Sequence, residues 1–268
     1  MVLAHFFGAM AAVLYLLTST QAWQQMRTLH LPRRLPFFVL SLLAVLLHAA
    51  FLWQQLVRSE GIYLGFFPMA SLVAGTGALL ITFASLYRRL EWVSALVYPL
   101  SALSMVPLFW WAPSTPSQLM LHGLGTHVML SVLASAVFSI AAAQALVLLF
   151  QHKQLKKGHI QGALASFPPI QTSETMLFEL LWAAFIILTA AIVTGFIYVE
   201  DLFAQQVAHK TVLTLGAWLL LGTLLAGRHL FGWRALTAVH LTLAGFATLL
   251  LAFFGSQFVL EYLLARQV

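Results

Sequence analysis

Ten histidines and no cysteine set the chemistry open to this chain of 268 residues. Without thiols it forms no disulfide and no thiolate metal site, and it attaches no prosthetic group through thioether bonds. Any ion it holds is held by imidazole or carboxylate. The carboxylates number only seven, and all fall near the ends of long apolar runs. Glu60, Glu200, Asp201 and Glu261 lie on one side, and Glu91, Glu174 and Glu179 on the other. None sits at the middle of a run, which counts against a carboxylate proton relay of the transporter kind. The histidines sort differently. His5, His48, His122, His127 and His209 share one side or the half of a run nearest it. Imidazoles gathered at one depth, with few acids nearby, suit heme iron, zinc or copper. A bis-histidine heme needs two imidazoles approaching opposite faces of a flat ring, and two different helices can supply that.

The elements that must position these groups are membrane spans. Hydrophobic residues make up 62% of the chain and charged residues 7%, against about 25% charged in an ordinary soluble domain. So few charges cannot cover a water-soluble surface, so the bilayer is the solvent for most side chains. There the backbone must satisfy its own hydrogen bonds, in helices or a closed barrel. Unbroken apolar runs of about 20 residues select helices over ten-residue alternating strands. The pattern predicts an all-α polytopic transmembrane bundle with spans at 2–22, 35–57, 63–86, 93–111, 122–150, 177–199, 211–230 and 235–262. The first apolar run precedes Arg27, Arg33 and Arg34, so it reads as an uncleaved first span, not as a secretory signal. Residues 1–268 read as a single integral membrane domain. A connector over 151–175, carrying Lys153, Lys156, Lys157 and Pro168-Pro169, divides five spans from three.

Charge sets the expected orientation. Ten of the thirteen Lys and Arg fall in alternate loops, and only Arg58, Lys210 and Arg266 lie opposite. The positive-inside rule then puts the basic loops in the cytoplasm and both termini outside. The net charge of +6 is thus an orientation signal that requires no nucleic-acid partner; the surrounding partner is membrane lipid. His30, His152, His159, His229 and His240 fall at or near the inner face, where a histidine is ordinarily solvated.

On this topology His48 lies roughly 20 Å across from the inner end of its span. His122 and His127 are five residues apart, about 140° around a helix, so they do not share one ion. His127 is the deeper, where an unpaired imidazole costs most, and is the better ligand candidate. His209 opens the seventh span. Each of these histidines has a second reading, as a hydrogen-bonded packing residue. Trp110 and Trp111 end the fourth span, either as an interfacial anchor or as a cover for a porphyrin. Gly195, Gly245 and Gly255 lie in apolar spans, where small residues allow close helix approach.

Three segments carry a family likeness. Leu121 to Phe150 reads LHGLGTHVMLSVLASAVFSIAAAQALVLLF. Phe167 to Tyr198 reads FPPIQTSETMLFELLWAAFIILTAAIVTGFIY. His209 to Val259 holds the last two spans, with an Arg-x-x-x-Gly-Trp turn at Arg228, Gly232 and Trp233. In order and spacing these resemble the heme-handling cytochrome c assembly proteins of the CcsA and HemX type, over about residues 60–260, and within them the small bacterial inner-membrane YpjD branch. The resemblance implies heme held near the outer face by histidines of loops and span ends. His127 falls on the first external ligand. His209 falls at the end of the external loop, beside the family's tryptophan-rich heme-binding segment. Here that loop reads YVEDLFAQQVAHK and has no tryptophan. The family's last external histidine, after the final span, is missing, because the chain ends EYLLARQV. Its histidine low in the penultimate span falls near Ala226, with His229 close by.

Together these features predict an inner-membrane protein that binds or passes b-type heme, with His127 and His209 as ligands, His48 third, and Trp110 and Trp111 beside them. Its partner would belong to the membrane or to cytochrome assembly. Loss of the tryptophan-rich loop ranks heme binding above holocytochrome synthesis, so a binding factor is expected before an enzyme. Two other classes fit the composition. One is a cofactor-free regulatory or structural subunit acting through its cytoplasmic loop. The other is an accessory to divalent-metal transport, with His127 and His209 joined by Glu200 or Asp201.

Overall fold

A computed structural model describes residues 2–28, 34–58, 61–110, 124–157, 167–198 and 208–255. Among these, eight helices are long and apolar enough to cross a membrane. They are α1 (Val2–Thr28), α2 (Arg34–Leu56), α3 (Phe66–Ala84), α4 (Glu91–Met105), α5 (Leu124–Lys156), α6 (Ile170–Tyr198), α7 (Ala208–Phe231) and α8 (Ala235–Leu250). A single 3-10 turn, Val106–Phe109, extends α4, and a π-turn, Leu251–Gly255, extends α8. The all-α architecture is therefore as the composition requires. The one departure is a two-residue ladder, β1 (Val57–Arg58) with β2 (Gly61–Ile62), which pairs Val57 with Ile62 and delays the third span to Phe66.

Helix also claims much of the expected 151–175 connector. α5 runs for 33 residues, about 50 Å, and α6 begins at Ile170. The extension is held by side-chain amides: Gln144 donates to the Ser173 carbonyl at 3.0 Å and Gln151 to the Pro168 carbonyl at 3.0 Å. Nor does the chain divide at that connector. α1–α4 form one compact unit and α5–α8 another, so the break falls before α5 and splits the spans four and four.

Each unit is a ring of four helices. In the first, α1 packs on α2 and α4, and α3 packs on the same two. In the second, α5 packs on α6 and α8, and α7 closes the ring against both. Contacts pair the start of one helix with the end of the next, as in an up-and-down bundle. Small residues permit the close approach. From Ser131 to Gln151, α5 is buried along nearly its whole length, much of it Ala and Ser. Outward-facing Leu, Val and Phe of α1, α2 and α6 are exposed, as lipid requires.

The turn between α7 and α8 shows how tightly one end of the second unit is drawn. Gly232 takes a left-handed φ of +67°, which favours glycine. The chain folds back so that the Trp233 amide donates to the Gly227 carbonyl at 3.2 Å and the indole lies against Gly227. Arg228 crosses this turn. Its guanidinium donates to Glu174 at the start of α6 (2.7 Å) and to the Trp233 carbonyl (3.2 Å), above the Phe178 ring at 4.5 Å. A methyl group on Gly227 would run into the Trp233 ring, whereas one on Gly77 in α3 would meet nothing within 4 Å. Gly227→Ala is therefore expected to cost about 1–3 kcal/mol by overpacking. Gly77→Ala should be neutral or slightly stabilising through helix propensity. Thermal unfolding in detergent compares the two, and equal Tm values would contradict this packing.

Candidate functional site

His127 stands in the first turn of α5, three residues inside its start, and is half-buried. Antiparallel packing brings it against the last turns of α6. There His127 Nδ1 lies 2.8 Å from the Ala191 carbonyl oxygen. A carbonyl only accepts, so Nδ1 carries the proton and donates. In the neutral ring Nε2 is then a bare lone pair. This is the arrangement of a metal-ligating histidine, whose second nitrogen is anchored to a carbonyl or carboxylate that fixes tautomer and orientation. The ring fits because the α6 residue one turn beyond Ala191 is Gly195, which is buried. A Cβ there would come within 3.0 Å of His127 Cε1 and 3.2 Å of Nδ1. The Thr194 hydroxyl also reaches the Ala191 carbonyl, at 2.9 Å.

His209 is in the first turn of α7 and is exposed. The start of α5, the end of α6 and the start of α7 lie at one end of the second unit, so His127 and His209 belong to the same end of the same ring. Arg228 and Glu174 mark the other.

His48 lies in the first unit, in a different setting. It is buried in the helix ring, with Nδ1 3.2 Å from the Tyr15 hydroxyl of α1 and Nε2 2.8 Å from the Ser71 hydroxyl of α3. Both ring nitrogens are engaged, so an ion could be bound only by releasing one of these bonds. Tyr15 in turn stacks on Tyr98 of α4 (centroids 5.7 Å apart, planes 20°), and Tyr98 meets the Thr82 hydroxyl at 3.1 Å. Gly75 makes room for the imidazole, since a Cβ there would lie 3.0 Å from Cε1. Tyr15, Ser71 and Gly75 are partners that sequence reasoning missed; only the periodicity of α1 and α3, which turns those positions inward, could have signalled them.

Trp110 also belongs to the first unit. It closes the 3-10 turn after α4, is exposed, and meets Phe109 at 6.1 Å. His5, on α1, packs its ring on the same Phe109 at 5.5 Å. Trp111, His122, Glu200 and Asp201 lie outside the described residues, so the four-residue set for a divalent cation cannot be assembled from those described. Among the described residues no three His, Asp or Glu side chains converge as a metal cluster.

The seat of His127 was partly legible. His127 is three residues from the start of α5 and Gly195 three from the end of α6, so antiparallel neighbours place them at one depth. The sequence reading of Gly195 as a packing glycine is thereby sharpened: what packs there is the imidazole.

The buried pair in the first unit yields a direct test. Tyr15→Phe leaves His48 Nδ1 without its partner, and Ser71→Ala does the same at Nε2. Each is expected to cost about 1 kcal/mol, the scale of interhelical hydrogen bonds in membranes. The double variant should be non-additive because both bonds share one ring. Unfolding of the four members of that cycle in detergent measures the coupling, and strict additivity would deny the shared hub.

Comparison with known proteins adds the following. The sequence model of the family described as Cytochrome C assembly protein matches residues 37–264. The inner membrane protein YpjD of Escherichia coli K12 is 34% identical over 137 residues, covering 51% of this chain and 52% of that protein. An uncharacterized 28.8 kDa protein in the nifR3-like 5' region of Azospirillum brasilense is 31% identical over 140 residues, 52% of each. The chain thus spans about half the length of the relatives it matches. No solved structure matches.

Proposed function

The chain belongs to the cytochrome c assembly protein family, and from that premise we propose that it is an inner-membrane protein that binds or passes heme near the outer membrane face. The observation that carries this reading is the bond from His127 Nδ1 to the Ala191 carbonyl. It leaves an anchored, half-buried imidazole with Nε2 as its basic atom. That donor suits heme iron and needs no third protein ligand. His209, exposed at the same end of the unit, is the second ligand in this reading, and His48 ranks third because its nitrogens are already engaged.

The basic loops support an orientation with the starts of α5 and α7 on the outer side. With no cysteine in the chain, the heme would have no thioether link to it, and b-type heme fits that condition. When bound, heme would supply a redox-active iron. The protein's residues hold and orient it. A half-buried ligand paired with an exposed one suits a factor that receives a cofactor and releases it to a cytochrome assembly partner. The relative named as an inner membrane protein agrees with the location proposed.

Protein purified in mild detergent from heme-replete cells is expected to show a Soret band and near-stoichiometric heme by pyridine hemochrome. His127→Ala combined with His209→Ala should remove it. Full heme content in the double variant would refute the ligand assignment.

A further inference from the structure

Among the described helix glycines, some face open space or an ordinary contact and others face a ring. On α7, a Cβ at Gly216 would meet the Thr248 methyl at 3.8 Å, a normal contact. Gly195, like Gly75 beside His48, admits an imidazole, and here the ring is bonded through Nδ1 to a backbone carbonyl. A Cβ at Gly195 would lie 3.0 Å from His127 Cε1 and 3.2 Å from Nδ1, but 3.8 Å from Nε2. A methyl group there would push on the edge that donates to Ala191, not on the edge that carries the free nitrogen.

We propose that Gly195 is a positioning residue for His127: its missing side chain seats the ring against the Ala191 carbonyl, fixes the proton on Nδ1 and leaves Nε2 as the nitrogen that binds. The final step rests on the heme reading. The tautomer itself is a property of the heme-free protein.

Two observations support a steric seat over a bond that holds itself. The first is that the Ala191 carbonyl has a second suitor. The Thr194 hydroxyl lies 2.9 Å from the Ala191 oxygen and 2.9 Å from the Ala190 oxygen, so it can serve either. If the imidazole withdraws, Thr194 keeps the carbonyl satisfied, and no orphaned acceptor pulls the ring back. The second is the intrinsic preference of a neutral imidazole in water, which keeps its proton on Nε2. The bonded arrangement at 2.8 Å inverts that preference. Displacing the ring by a few tenths of an ångström stretches a short bond toward the range where it weakens, and the preference reverts. The nitrogen offered to a metal would then carry a proton.

The test begins without heme. Protein labelled with 15N-histidine, in detergent above pH 8, is examined by NMR, with the His127 signals assigned by their loss in His127→Gln. The wild type is expected to show the Nδ1–H tautomer. Gly195→Ala should move the population toward Nε2–H, while Gly216→Ala leaves it unchanged. Thr194→Val, which removes the competing donor and keeps the seat, should retain Nδ1–H. In a His127→Ala background Gly195→Ala should no longer lower the Tm, because the group it displaces is gone. An Nε2–H wild type, an unmoved tautomer in Gly195→Ala, or an equal Tm loss with and without His127 would each overturn the proposal. If Gly195→Ala does not fold, the wild-type tautomer and the Thr194→Val spectrum decide. Hemin titration then separates the two readings: Gly195→Ala is expected to weaken binding about tenfold, the effect of losing an outer-shell partner. A wild type with the Nδ1–H tautomer that takes up no hemin would refute the heme reading and leave the seat standing.

Discussion

Inside a bilayer no water is available to satisfy a polar group, and the architecture of this chain follows from that. The hydroxyls of Thr18, Ser139 and Thr248 each donate to a carbonyl one turn back in their own helix. Such groups are satisfied locally and say nothing about neighbours. The informative bonds are the few that cross between helices. Tyr15, His48 and Ser71 join α1, α2 and α3. Gln144 and Gln151 tie α5 to the start of α6, and Trp218 donates to Thr189 to tie α7 to α6. His127 joins α5 to the far end of α6. Hydrophobic burial does not choose between helix faces when lipid is as apolar as leucine. These crossings, with the glycines that let rings approach, are what distinguish one packing from another.

That division also explains what could be read from the sequence. Eight spans, their helical nature and the family were legible, because apolar run length and segment order are one-dimensional. Gln151 illustrates the limit. In the sequence it sits beside Lys153 and looks like the opening of a loop, yet its amide finds the Pro168 carbonyl and the helix continues through Lys156. The four-and-four division was hidden for a similar reason, since the longest basic loop is a salient mark and the packing boundary before α5 is not. At the site, His127 could be ranked above His122 by depth alone. Its partner could not, because a backbone carbonyl has no residue type to betray it.

The two histidines seated on helix glycines make a useful contrast. Each lies on a glycine of a neighbouring helix, with a hypothetical Cβ 3.0 Å from Cε1. His48 spends both nitrogens on side chains and is thereby closed. His127 spends one on a backbone carbonyl and keeps one open. Residue type and the glycine against the ring are the same in the two cases, and burial and bonding partner separate a packing residue from a candidate ligand.

The family match begins at residue 37, so α1 lies ahead of it, yet α1 supplies Tyr15, the phenol that closes the His48 ring and stacks on Tyr98. A fragment trimmed to that boundary would leave the buried His48 Nδ1 without its phenol partner. The leading helix therefore completes the polar network of the core that follows it. In the order of synthesis it is waiting in the membrane before the groups it must cover arrive.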